Sequence, residues 1–167
     1  MKKICFMFGH RDAPQEISSA LEAAVEEQYY KFGVRSFIVG HRGAFDTMAA
    51  SAVKNLKKRY ADVCLQMLIA YHPAQRKINV PEGFDGTYYP DGMERIPPRF
   101  CICAANRKLV SLADTVICYV KYVGNTKDLL RIVIGRNIPI CNLATAWMLA
   151  NSDLSLSSIL LRTNGSL

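Results

Sequence analysis

Short continuous apolar runs alternate along this chain with longer stretches in which apolar residues recur every three or four positions. A short unbroken run suits a strand buried on both faces, and three-four spacing suits a helix lying against it. The alternation therefore calls for an α/β fold, a doubly wound, mainly parallel sheet with helices on both faces. Strands are expected at Lys3 to Phe8, Val34 to Val39, about Val63 to Tyr71, Thr115 to Val120 and Pro139 to Leu143.

The helices between them follow from stripes and stops. Ile17, Ala20, Leu21, Ala24, Val25 and Tyr29 form one apolar stripe, with Pro14 in the first turn and Gly33 past the end. A second helix is expected to open at Asp46 or Thr47, both good N-caps, with Ala49, Ala52, Val53, Leu56 and Tyr60 facing inward. A mixed stretch from Phe100 enters a third helix at about Ala104 to Ala113, and a fourth is capped by Asn125 or Thr126 and closed by Gly135. Residues 72–98 hold five prolines and three glycines, so they are expected to form one long irregular loop of functional character. One domain is expected over residues 1–145. Residues 146–167 read as a C-terminal tail whose leucines, from Leu154 to Leu161, dock on the domain or on a second subunit of a homo-oligomer.

Composition narrows the chemistry. A chain of 167 residues, half of them hydrophobic, buries enough surface to fold without a disulfide or a structural metal. Its longest apolar runs, Ile4 to Phe8 and Met67 to Tyr71, are far short of the ~20 residues that span a bilayer, so no membrane partner is expected. Cys5, Cys64, Cys118 and Cys141 lie inside apolar runs, as reduced core thiols of a cytoplasmic protein do. Cys101 and Cys103 lack the further ligands a zinc site needs, so they too read as packing; neither metal nor cofactor is expected. The formal charge of +7 favours anionic partners without choosing among them.

In a parallel sheet, ligands sit beyond the carboxyl ends of the strands, where helix N-termini point free N–H groups at anions. Three loops hold that position: Gly9-His10-Arg11-Asp12, then Gly40-His41-Arg42-Gly43-Ala44-Phe45-Asp46, then Tyr122-Val123-Gly124-Asn125-Thr126. All carry glycine and two carry a His-Arg pair, a donor set suited to a phosphorylated ligand. The alternative is that the glycines only make tight strand-to-helix turns while the arginines lie in solvent. No GxxxxGK[ST], GxGxxG or GxSxG occurs, which argues against a P-loop hydrolase, a dinucleotide dehydrogenase and a serine hydrolase.

Several motifs in order carry a resemblance. Phe8-Gly9-His10-Arg11, Gly40-x-x-Gly43-Ala44-Phe45-Asp46, the segment from Tyr89 to Phe100, Asn106-Arg107, Ala113-Asp114 and Gly124-Asn125-Thr126 together resemble the YpsA-like branch of the SLOG superfamily, over about residues 4–143. The resemblance implies a Rossmann-like fold that binds a nucleotide or nucleotide-derived small molecule across the carboxyl edge of the sheet. SLOG relatives include the Lonely-Guy phosphoribohydrolases, which cleave the N-glycosidic bond of a nucleoside monophosphate, and the DNA-processing protein DprA. Ligand-binding residues would then be Gly9, His10, Arg11, Gly40, Arg42, Gly43, Asp46, Asn106, Arg107, Gly124, Asn125 and Thr126.

Two departures keep the reaction open, one of them in the second loop, where His41 and Arg42 stand in place of the family's usual glycine pair and either narrow the phosphate cradle or add a cation to it. The Lonely-Guy turn with its double glycine is replaced by Gly124-Asn125-Thr126-Lys127-Asp128, so the acid that assists cleavage would be Asp128, or Glu94 from the long loop. Asp128 equally suits the dipole at a helix start, Asp46 equally suits an N-cap, and Arg107 equally suits an ion pair with Asp114. The leading expectation is a binding module for a phosphorylated small molecule. A nucleotide N-glycosidase is the alternative, and DprA-like nucleic-acid binding comes third, because the basic residues are scattered rather than gathered in one stripe.

Overall fold

A computed structural model describes residues 2–145. The tail expected from residue 146, with its docking leucines, lies outside the described residues. Six strands form one sheet, β1 (Lys3–Gly9), β2 (Val34–Val39), β3 (Cys64–Leu68), β4 (Gly86–Tyr88), β5 (Thr115–Tyr119) and β6 (Ile140–Asn142). Their order is β4-β3-β2-β1-β5-β6 and every pairing is parallel. The helices that cover the sheet are α1 (Ser18–Phe32), α2 (Ala44–Lys57), α3 (Cys101–Leu112) and α4 (Asn125–Gly135).

The alternating strand residues feed two separate cores. Cys5, Met7, Phe37, Val39 and Ile117 face the α1 and α2 side, where Leu21, Val25, Phe45, Val53 and Leu56 pack against them. Phe6, Phe8, Ile38, Val116 and Cys118 face the other side, under Ala105, Leu109, Leu129 and Val133 from α3 and α4. The sheet is thus covered on both faces. Among the described residues, no helix is long and apolar enough to cross a membrane. All six cysteines are free thiols. Burial pushes Cys5 up to about 12 and Cys141 up to about 11, which keeps them protonated and unreactive.

Several expected boundaries move. β3 ends at Leu68 rather than Tyr71, and α2 opens at Ala44 behind Gly43, so Asp46 stands in the first turn and is not the N-cap. α3 begins at Cys101, which puts Cys101 and Cys103 on a helix rather than on an extended segment. The stretch 72–98 is not wholly irregular: it contributes β4 and a 3-10 turn at Met93–Arg95. No apolar period announces β4. It is held instead by Asp85, whose carboxylate accepts the Leu65 N–H at 2.7 Å and Lys57 Nζ at 2.6 Å, while its own N–H donates to Leu65 O at 2.8 Å.

Asp85→Ala is therefore expected to lower stability by about 1–2 kcal/mol, as a half-exposed charged hydrogen bond does. Burial pushes the Asp85 carboxyl up, but its bonds from Lys57 and Leu65 outweigh this and hold it below the ordinary 3.8. Its contribution is present above that value and lost as pH falls through the lowered one. Urea unfolding of both proteins should show the difference at neutral pH and its shrinkage in acid; an equal difference throughout would refute the assignment.

Candidate functional site

The chain runs outward from β1 through β2 and β3 to β4, then returns across the sheet to β5, on the other side of β1. The loops after β1 and β5 consequently part in opposite directions, the place where parallel sheets open a crevice. A cavity of about 510 Å³ lies there, within the ~300–1,000 Å³ span of small-molecule sites. Phe6, Phe8 and Leu68 from the strands and Ala70 just past β3, with Ile102 and Ala105 from α3, give it an apolar inner wall. Arg11, Asp12, Arg42 and Asp46 line one side, and Asn106, Arg107, Asn125, Thr126 and Asp128 the other.

Gly9, His10 and Gly40 line the cavity too, but packing explains much of their presence. A Cβ on Gly9 would stand 2.4 Å from Phe45 Cγ, one on Gly40 2.5 Å from Asp46 Oδ2, and one on Gly43 2.6 Å from Arg11 Cα. These glycines let the first two loops and α2 approach one another, as the tight-turn alternative requires. Gly124 differs: its φ of 146° lies where side chains are rarely tolerated, and nothing stands within 4 Å of its Cβ position. Gly43 and Gly124 lie outside the cavity lining, as the N-caps of α2 and α4. Neither offers a side-chain oxygen to the helix behind it, so among the described residues no side chain caps the first N–H groups of α4, at Asn125 and Thr126.

His10 is a structural acceptor in the cavity wall. Its ring is 6% exposed, and Nε2 accepts the N–H groups of Lys121 at 3.0 Å and Tyr122 at 3.3 Å. The proton is accordingly on Nδ1. Burial lowers the His10 pKa, with the Asp12 charge pulling weakly upward. The Tyr122 ring stacks on His10 at 3.7 Å between centroids, and its hydroxyl donates to Asp12. Burial and the neighbouring Arg42 push His41 down as well. Both imidazoles are neutral near pH 7, so of the two His-Arg pairs only the guanidinium groups carry charge at this edge.

Arg11, Arg42 and Arg107 are all exposed, and no ion pair engages them among the described residues. Asp114 accepts the Ile4 N–H at 2.8 Å, so it is not the partner of Arg107. The nearby acids are occupied: Asp128 pairs with Arg131 at 3.0 Å, and Asp46 Oδ2 accepts the Arg42 N–H at 2.8 Å. Burial raises the Asp46 pKa, against the Arg42 N–H and the two nearby guanidiniums. Glu94 lies in the Met93–Arg95 turn, outside the cavity lining. Tyr89 packs edge-on against His72 at 5.5 Å, an aromatic pair within the long loop.

Sequence reasoning missed Cys103 as a lining residue and gave Tyr122 no role. Cys103, Asn106 and Arg107 are spaced i, i+3, i+4 on α3, so helical period alone puts the thiol beside the two recognised residues. The Asn125 amide donates to Cys103 Sγ at 3.8 Å, closing the gap between α3 and α4.

No family model matches the chain, and no curated protein matches it in sequence. Solved structures do match in shape. DNA processing protein A (DprA) from Streptococcus pneumoniae superposes with a TM-score of 0.60 at 14% identity, over 99% of this chain and 62% of that one. The fold is Rossmann-like. The molybdenum cofactor binding protein from Rippkaea orientalis superposes with a TM-score of 0.55 at 16% identity, over 90% of this chain and 84% of that one. The present chain thus spans less than two thirds of the DprA chain, and at these identities what is shared is the Rossmann-like architecture.

Proposed function

We propose that this chain is a cytoplasmic SLOG-type module that binds a nucleotide or nucleotide-derived phosphorylated molecule at the β1–β5 crevice. The observation that carries the reading is the trio of guanidiniums, Arg11, Arg42 and Arg107, that form no ion pair among the described residues and stand around a cavity with an apolar inner wall. A flat base suits the wall between α3 and the sheet. The phosphate suits the uncapped start of α4, opposite Arg107 and Asn106. Asp46, which already faces the second loop, suits a ribose hydroxyl. The names of the two structural neighbours, one processing DNA and one binding molybdenum cofactor, support ligand binding on this architecture and no particular ligand.

The test is calorimetry with AMP, ADP, ADP-ribose, cyclic AMP and inorganic phosphate. At least one nucleotide is expected to bind more tightly than phosphate alone, and added salt should weaken it by screening the arginines. Failure of all five, with single-stranded oligonucleotides binding in a steeply salt-dependent way, would replace this reading with nucleic-acid binding.

Carboxylates inside the cavity favour a second reading, an N-glycosidase acting on a nucleoside monophosphate. Asp128 at the rim would stabilise the cationic ribosyl transition state, while Arg107 orients the phosphate. Glu94 has no part in it from outside the cavity. Release of free base from AMP, abolished by Asp128→Asn, distinguishes enzyme from binder.

A further inference from the structure

We infer that His10 is a positioning residue, a proton-operated latch that holds the 121–126 loop, and with it the open start of α4, in the geometry that binds an anion. It rests on the proposed phosphorylated ligand only for its effect on affinity; the latch itself is a property of the empty protein.

The geometry is specific to one protonation state. A single ring nitrogen, Nε2, takes two consecutive backbone N–H groups, from Lys121 and Tyr122, and the His10 N–H reaches back to Tyr119 O at 3.1 Å. The loop after β1 is thereby tied to both the end of β5 and the residues leading to Gly124. Tyr122 lies over the same ring in a stack tilted by only 9°. A proton on Nε2 would leave three N–H donors facing one another with no acceptor, and the two loops would have to separate.

Among the described residues, the charged and titratable groups near the ring include Arg11 and Asp12 from its own loop, Glu16 ahead of α1, Tyr119 from β5, and Lys121 and Tyr122 from the loop it holds. The Tyr122 hydroxyl bond holds Asp12 below the ordinary carboxylate range, so Asp12 stays ionised while the ring titrates. Tyrosine, lysine and arginine do not change charge in that span. In the open loop an exposed ring has the ordinary value of 6.5, and in the closed loop burial sets it lower. Closure is therefore fully favoured above the ordinary value and loses ground as pH falls below it.

Hydrogen exchange of the 121–126 amides, corrected for the intrinsic effect of pH, tests the latch without ligand. Between about pH 7.5 and pH 5.5 the wild-type loop should lose protection by up to about 10-fold, the ceiling set by one proton taken up by the open loop alone. His10→Gln presents an oxygen where Nε2 stood and cannot titrate, so its loop should show no such loss, although His41 and His72 remain. Proton NMR of the wild-type ring supplies a second measurement: the Nδ1–H tautomer and a pKa below that of a free imidazole are expected. Loop protection that stays constant while the His10 ring titrates would overturn the latch, as would the opposite tautomer. AMP and inorganic phosphate affinities should fall more steeply with falling pH in the wild type than in His10→Gln, where only the probe's own second phosphate ionisation remains to weaken binding. A pH-dependent loop in a protein that binds neither probe would leave the latch standing and remove the ligand reading instead.

Discussion

Phe45→Ala is expected to lower stability by about 3–5 kcal/mol and the melting temperature by roughly 6–20 °C. Phe45 is fully buried in the first turn of α2, and its ring fills the space directly over the Gly9 backbone. Gly9→Ala attacks the same contact from the other side, driving a methyl group to 2.4 Å from Cγ of a ring that the core does not let move. Overpacking of that kind costs about 1–3 kcal/mol. Because one methyl occupies what the other change vacates, the double variant should lose less than the sum of the single losses. Urea unfolding of the four proteins measures the coupling, and strictly additive losses would show that Gly9 is not there to admit the ring.

Arg107→Ala should weaken nucleotide binding by roughly 10–100-fold, the worth of a charge-assisted hydrogen bond to phosphate. Its stability should stay within about 0.5 kcal/mol of the parent, since the side chain is exposed and pairs with nothing among the described residues. Arg107→Lys keeps the charge and loses the two-pronged geometry, so an intermediate affinity is expected. Arg95→Ala, outside the cavity lining, is the control. Equal affinities for the Arg107 and Arg95 variants would remove α3 from the site.

Strands with unbroken apolar runs were legible in the sequence because burial on both faces leaves no room for polar residues. Ile4 to Phe8 in β1 and Val116 to Tyr119 in β5 are the clearest cases. β4 was not legible, since three residues between Gly86 and Tyr88 show no period and their pairing depends on Asp85, outside the strand. The start of α2 was misread because Asp46 has the chemistry of an N-cap but turns its carboxylate to the Arg42 N–H instead. Within the site, the loops that follow the strands could be found from the order of elements alone. The role of His10 could not, because it depends on two backbone N–H groups more than a hundred residues away. Glu94 shows the converse: an acid in a motif, placed by the fold outside the cavity.

β1 is paired on one edge with β2 and on the other with β5, from Cys5 against Thr115 to Gly9 against Tyr119, and the Asp114 carboxylate reaches Ile4 across 110 positions of sequence. A ribosome adding about 5–20 residues per second needs several seconds to cover that distance. Throughout that interval the Ile4 to Phe8 segment has one neighbour at most and an open hydrogen-bonding edge. The centre of this sheet is therefore completed late in synthesis, and one edge of the Ile4 to Phe8 segment stays unpaired until β5 emerges.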